Sequence, residues 1–283
     1  MKAAAGNTSG ATDRSRPQAI VLAAGKGTRM GGDQAKVLYR VADRPMIWWV
    51  VRACLEAGVS RCVVVVGYQG ASVRGALAEV PGCVFVEQTE QLGTGHATRM
   101  AEPLFPPDAD GAAPGASEFA AGCDVFVLAG DGPLIRAATL KKLLEVHRAR
   151  GAAATLATAV LDDPTGYGRI VRDAGGAFAG IVEQKDATEA QRALREVNPS
   201  YYCFRSGALF AALRQVGQSN RAHEYYLTDV PLILRKKGEL VAVVEAVPAG
   251  DVLSINTPRE LAAVDGVLRE RLGLARGAAA GVR

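Results

Sequence analysis

Residues 19–32 read AIVLAAGKGTRMGG: an apolar run stops at Ala24 and is followed by Gly25, Lys26, Gly27, Thr28 and Arg29. Glycines permit positive φ and close backbone approach, so several N–H groups can point at one anion. Lys26 and Arg29 add positive charge, and Lys36 lies one short loop further on. The two common phosphate-loop patterns do not fit. A P-loop would need glycine at position 20 and serine or threonine at position 27, where Ile20 and Gly27 stand; the dinucleotide fingerprint would need glycine in place of Met30. The residues suit either an anion cradle of another kind or a tight strand-to-helix turn with solvated cations.

Two further stretches carry chemistry. In VFVLAGDGPL, Asp131 follows an apolar run and is flanked by Gly130 and Gly132. A carboxylate at the carboxyl end of a strand suits Mg²⁺, which prefers oxygen ligands and takes one or two carboxylates together with substrate phosphates. The same aspartate also suits a turn before a helix. In QTEQLGTGHA, Gln88 can read a base edge with its amide, while Gly93, Thr94 and Gly95 supply backbone groups at a helix start.

Such residues need elements to position them. Apolar runs at 18–24, 61–66, 83–86 and 124–129 alternate with helical patterns at 45–57, 71–78, from about 95, and at 137–150. Runs without polar alternation indicate strands covered on both faces. Repeated βα units predict an α/β fold with a Rossmann-like, doubly wound and mostly parallel sheet. Ligands of such sheets bind beyond the carboxyl ends of the strands, where Gly25 and Asp131 fall. The second half is more mixed, with strands expected at 154–160, 168–171, 178–182 and 201–204 and helices at 206–214, 230–237 and 258–272. Residues 103–122, rich in Pro, Gly and Ala, read as a flexible surface insertion. Residues 1–17 read as a disordered leader, and 272–283 as a flexible tail.

Composition excludes several classes. The 283 residues are 49% hydrophobic and 22% charged with a formal charge of +4, which fits a globular protein rather than a nucleic-acid binder. The longest apolar run, CVVVVGY, is far shorter than the roughly 20 residues of a membrane span. Five cysteines without a CxxC suggest neither a disulfide framework nor a zinc site, and reduced thiols point to the cytoplasm. No internal repeat is visible, and a homo-oligomer stays open.

Together, LAAGKGTRM, EQLGTGHA, AGDGPL, DDPTGYGRI, GIVEQKDAT, EVN, EYYLTD and SINTP occur in this order. The series resembles the sugar-nucleotide pyrophosphorylase family over about residues 18–271, most closely its uridylyltransferase domains that make UDP-N-acetylglucosamine. The resemblance implies a nucleotide-binding part at about 18–150, a smaller mixed sugar-binding lobe at about 151–256 and a closing helix at 257–271. It implies transfer of UMP from UTP to a sugar 1-phosphate, with Mg²⁺ as cofactor and release of pyrophosphate. By this likeness Leu22, Ala23, Ala24, Gly25 and Gly27 wrap the nucleotide, and Arg29 and Lys36 serve catalysis at the phosphates. Gln88, Gly93 and Thr94 match the uracil-reading segment. Gly168, Glu183, Asn198 and Thr228 match sugar-binding positions, and Asp131 and Asn256 the pair that holds the metal.

Three positions depart from the family pattern: Ala35 stands where a proline is usual, Ala129 where a tyrosine is, and Pro199 follows the sugar-binding asparagine. The hexapeptide repeats with which many relatives acetylate glucosamine 1-phosphate are not seen here, so acetyl transfer is not expected. Other acceptors such as glucose 1-phosphate, or a non-catalytic nucleotide-sugar sensor, are the alternative readings.

Overall fold

The computed structural model describes residues 16–27, 30–105, 122–253 and 255–275. Most of the expected leader, most of the 103–122 insertion and most of the tail lie outside the described residues, as do Thr28, Arg29 and Ser254. The strands are β1 (Gln18–Ala23), β2 (Arg40–Val41), β3 (Arg44–Pro45), β4 (Cys62–Val66), β5 (Cys83–Glu87), β6 (Asp124–Ala129), β7 (Ala154–Val160), β8 (Gly168–Arg172), β9 (Phe178–Val182), β10 (Glu196–Arg205) and β11 (Val241–Glu245). The helices are α1 (Met46–Glu56), α2 (Gly70–Ala76), α3 (Thr94–Arg99), α4 (Ala137–Arg150), α5 (Glu189–Arg192), α6 (Ser206–Leu213), α7 (Val230–Lys236) and α8 (Pro258–Leu272).

The main sheet has the order β11-β7-β10-β6-β1-β4-β5. β1 pairs in parallel with β4 on one side and β6 on the other. The chain therefore winds away from β1 in both directions, and the crevice at its carboxyl end is the place where such a sheet takes a ligand. Side chains alternate across the sheet. Ala19, Val21 and Ala23 face α1, α2 and α4 through Val50, Val73 and Leu140, whereas Ile20, Val63 and Val127 face α3, α6 and α7 through Ala97, Leu209 and Leu234. Both faces are covered, which is why these strands read as unbroken apolar runs.

β10 is antiparallel to both of its neighbours, β6 and β7. Its first residues therefore lie at the carboxyl end of the sheet: Glu196 faces Val160, and Tyr201 faces Leu128. From that end it pairs Val197 and Asn198 with Arg169 and Gly168 of β8, which forms an antiparallel hairpin with β9. This reversed strand carries the second half of the molecule to the crevice.

The strand expected at 201–204 is a correction, since β10 begins at Glu196. The strand takes up Pro199 in a bulge between Val197 and Tyr201. Ser200 takes a φ of 65° there, and its N–H donates to Asn198 Oδ1 at 3.1 Å. β11, the β2–β3 ribbon and α5 were not expected from the sequence pattern. Among the described residues no helix is long and apolar enough to cross a membrane.

α8 starts with a capping box, in which the Thr257 hydroxyl accepts from the Glu260 N–H and the Glu260 carboxylate accepts from the Thr257 N–H. Its inner face packs Val264 and Leu268 on Met30, Met46 and Leu134. Just before it, the buried Asp251 accepts hydrogen bonds from Arg136 at the start of α4 and from Arg271 in the last turn of α8. Tyr167 Oη donates to Val252 O at 2.7 Å. These bonds fix the segment that leads to Asn256. Asp251→Ala is expected to cost about 2 kcal/mol, since it removes charge-assisted bonds from a buried acceptor. Thermal unfolding should show a fall in Tm of roughly 4–8 °C.

Candidate active site

Beyond β1 the chain turns through Ala24 and Gly25 to Gly27, whose φ is +71°. A Cβ on Gly27 would stand 2.5 Å from Lys36 Cβ, so only glycine lets this loop lie against the lysine stem. Lys36 opens a single 3₁₀ turn anchored by the buried Val37 and Leu38. Where a proline would lack a donor, the Ala35 N–H donates to Gln69 Oε1 at 2.8 Å, and Gln69 Nε2 donates to Asp33 O at 2.7 Å. This clip holds the backbone directly before Lys36.

The Lys36 ammonium donates to Asp131 Oδ2 at 2.6 Å and to Asn256 Oδ1 at 3.1 Å. Three residues expected to act at the phosphates and the metal thus meet at one point. Asp131 arrives through Gly130, whose N–H donates to Leu22 O at 2.9 Å and whose missing Cβ would press on Ile47 and Leu22 at 2.8 Å. Asn256 arrives at the head of α8, with its N–H bonded to Glu260 at 2.6 Å. Beside them opens a cleft of about 330 Å³ lined by Gly25, Lys26, Gly27, Lys36, Gln91 and Asn256. Lys26 lies 5.0 Å over the Tyr68 ring on its rim. Arg29 lies outside the described residues.

Leu22 and Ala23 end β1 in register with Ala129 and Val66, and Ala24 O accepts from the Tyr68 N–H and from Gln91 Nε2. Gln91 is a site residue that the sequence reading passed over, although it stands inside the quoted EQLGTGHA motif. Gln88 follows β5 directly and is 4% exposed. Gly93, at φ +104°, lets the loop approach Tyr225, to whose carbonyl the Gly95 N–H donates at 2.7 Å. Thr94 Oγ1 accepts from the Leu227 N–H at 3.1 Å. The expected base-reading loop is therefore bonded to the chain next to Thr228.

The four expected sugar-binding residues form a second cluster. Gly168 pairs with Asn198 across β8 and β10, and a Cβ on Gly168 would lie 3.5 Å from Glu183 Oε1. Thr228 Oγ1 donates to Glu183 Oε1 at 3.1 Å. Asn198 is largely enclosed, and its Nδ2 donates to Tyr202 Oη at 2.6 Å while its Oδ1 holds the bulge at Ser200. Asn198 thus ties the bulge of β10 to Tyr202.

Burial raises the Glu183 carboxyl above the usual carboxylate range; the Thr228 bond opposes this, and the nearby Asp186, Asp229 and Glu224 add to it. A raised carboxyl pKa means that the folded chain holds a proton which the unfolded chain has lost, so its stability falls as pH rises through that interval. Glu183→Gln should therefore raise Tm relative to the parent at pH 8, with the gain shrinking toward pH 4, in parallel melts.

Chemically, the centre offers one ammonium, one carboxylate and one amide oxygen at the mouth of a glycine loop. A cation already sits between the two oxygens in the form of the Lys36 ammonium, and hard oxygen donors of this kind suit Mg²⁺. Among the described residues no group of three or more His, Cys, Asp or Glu side chains could hold a metal. This donor set suits an ion shared with phosphate oxygens rather than one caged by protein alone.

An open sheet wound both ways from β1, with this centre beyond the ends of β1 and β6, defines an α/β nucleotide-diphospho-sugar transferase fold. The chain belongs to the family of MobA-like NTP transferase domains, whose model matches residues 19–228. It is 46% identical over 254 residues to the bifunctional protein GlmU of Heliobacterium modesticaldum, covering 90% of this chain and 52% of that protein. It is 45% identical over 255 residues to the protein of the same name from Pelotomaculum thermopropionicum, covering 90% and 52%. The chain spans about half the length of the curated relatives it matches. A solved UDP-glucose pyrophosphorylase in complex with UDP-glucose shares the fold, with a TM-score of 0.69 at 16% identity over 90% of this chain and 99% of that one.

Proposed function

We propose that the chain transfers UMP from UTP to N-acetylglucosamine 1-phosphate and releases pyrophosphate. The observation that carries this reading is the meeting of Lys36, Asp131 and Asn256 beside the glycine loop. The acceptor phosphate is already ionised near neutral pH, so in-line attack on the α-phosphorus needs no general base. The task is to bring two anions together and to stabilise charge on the transferring group. Unit charges 4 Å apart interact by about 4 kcal/mol at an effective dielectric of 20, so a fixed cation at this point matters. Lys36 meets the reacting phosphates, and Arg29, two residues beyond Gly27 in sequence, adds a second charge. Asp131 and Asn256 hold Mg²⁺, which when bound neutralises phosphate charge. Gly168, Glu183, Asn198 and Thr228 take the sugar, and Gln88, Gly93 and Thr94 take the base.

Lys36→Ala and Asp131→Ala should each lower kcat by about 10²–10³-fold, the usual loss for one stabilising group at a developing charge, while circular dichroism stays native. Wild-type-like pyrophosphate release in either variant would remove the role assigned to it. A second acceptor, glucose 1-phosphate, is favoured by the fold shared with a UDP-glucose-bound pyrophosphorylase. Side-by-side kcat/KM values for the two sugar phosphates decide the matter. A lower value for N-acetylglucosamine 1-phosphate would overturn the acceptor named above.

A further inference from the structure

The Gln88 side chain makes two bonds that together fix which way its amide points. Nε2 lies 3.2 Å from Gly93 O and 3.0 Å from His96 Nδ1. An amide nitrogen and oxygen are similar in outline, so their partners must tell them apart. Gly93 O is a carbonyl and only accepts, so the atom that faces it is the NH₂ group. His96 Nδ1 then must accept as well, which places the neutral imidazole's proton on Nε2. Both amide hydrogens are committed inside the protein.

Oε1 is left as an acceptor. It makes no hydrogen bond among the described residues, and the only fully buried side-chain N or O atom without a hydrogen-bond partner among them is His147 Nε2. Gln88 Oε1 therefore reaches the surface. The Gln88 backbone lies at the carboxyl edge of the sheet: a Cβ on Gly67 would touch both Ala24 O at 2.9 Å and Gln88 O at 3.0 Å, which puts the residue beside the nucleotide loop. The His96 ring is placed independently of Gln88. It sits on α3, whose Gly95 N–H is bonded to Tyr225 O, and it lies 6.3 Å from the Tyr225 ring.

We propose that His96 is a positioning residue for base selection: it locks the Gln88 amide with its oxygen outward, so that the site takes a pyrimidine bearing N3–H and rejects one with a lone pair there. This rests on the nucleotide-binding reading given above. Uracil and 5-methyluracil donate from N3, whereas cytosine presents an acceptor to an acceptor. Without the His96 acceptor, one Gln88 N–H has no partner and can turn toward cytosine N3. Gly93 O alone, through the longer of the two bonds, does not prevent that.

The test compares His96→Leu with His96→Asn, which are alike in size, the asparagine alone keeping an acceptor that can reach Gln88. Binding of UDP and CDP by calorimetry, and kcat/KM for UTP, 5-methyl-UTP and CTP, would be measured on both variants and on the parent. The parent should favour both uracil nucleotides over the cytosine one. His96→Leu should lower the uracil-to-cytosine ratio about ten-fold or more, the scale of one directed hydrogen bond at a base edge, with kcat for UTP changed by less than about three-fold. His96→Asn should retain most of the ratio. An unchanged ratio in His96→Leu, or an equal loss in the two variants, overturns the proposal. A protein that releases no pyrophosphate yet shows this pattern with UDP and CDP would uphold the role of His96 and refute the transfer reading instead.

Discussion

Residues 36, 131 and 256 must meet within hydrogen-bond distance of one ammonium, and most of the architecture serves that requirement. The Lys36–Asp131 pair is partly shielded, with side-chain exposures of 15% and 32%, so its attraction is screened less than that of a surface pair. Keeping it in place depends on close approaches that tolerate no extra methyl group. Gly27 lets the loop lie on the lysine stem, and Gly130 lets the end of β6 press on Ile47 and the Leu22 carbonyl. The third member sits at the head of α8, where Asp251 joins Arg136 and Arg271 and Glu260 accepts from the Asn256 N–H. The glycines are steric permissions, and the buried carboxylate is the anchor.

The reversed strand β10 solves a separate problem. A purely parallel sheet would carry the second half of the chain past the crevice and away from it. Running β10 backwards puts its bulge, Asn198 and the β8–β9 hairpin at the same edge as the glycine loop. The bonds of Thr94 to Leu227 and of Gly95 to Tyr225 then join the two halves across the opening. The residues expected at the base and those expected at the sugar are thereby joined by one hydrogen-bonded frame.

Much of this was legible in the sequence, for physical reasons that differ by element. β1, β4 and β6 declare themselves because both faces are covered, and α4 and α8 because their apolar spacing ends at Gly151 and Gly273 in left-handed conformations. β11 is short and has half-buried residues, so nothing distinguished it from loop. β10 was read too short because a proline is a strand breaker unless a bulge receives it, and the Asn198–Ser200 bond that makes the bulge is not a sequence pattern. At the site, Lys36 and Asp131 were visible as residue types beyond strand ends and Asn256 only through the family resemblance, and the bonds that bring all three to one ammonium are seen only in the fold. The Asp251 clamp joins residues 136, 251 and 271, and the Gln88–His96 contact depends on which way an amide points; neither leaves a mark on spacing.

The clamp also bears on the order in which the chain supplies the parts of this centre. Asn256 and α8 follow every described strand of the sheet in chain order. Residues 1–250 include Lys36 and Asp131 but not the second oxygen, from Asn256, nor the helix that covers Met30 and Leu134. The meeting of Lys36, Asp131 and Asn256 thus depends on an element made after the sheet, so every described strand precedes the residue that completes it.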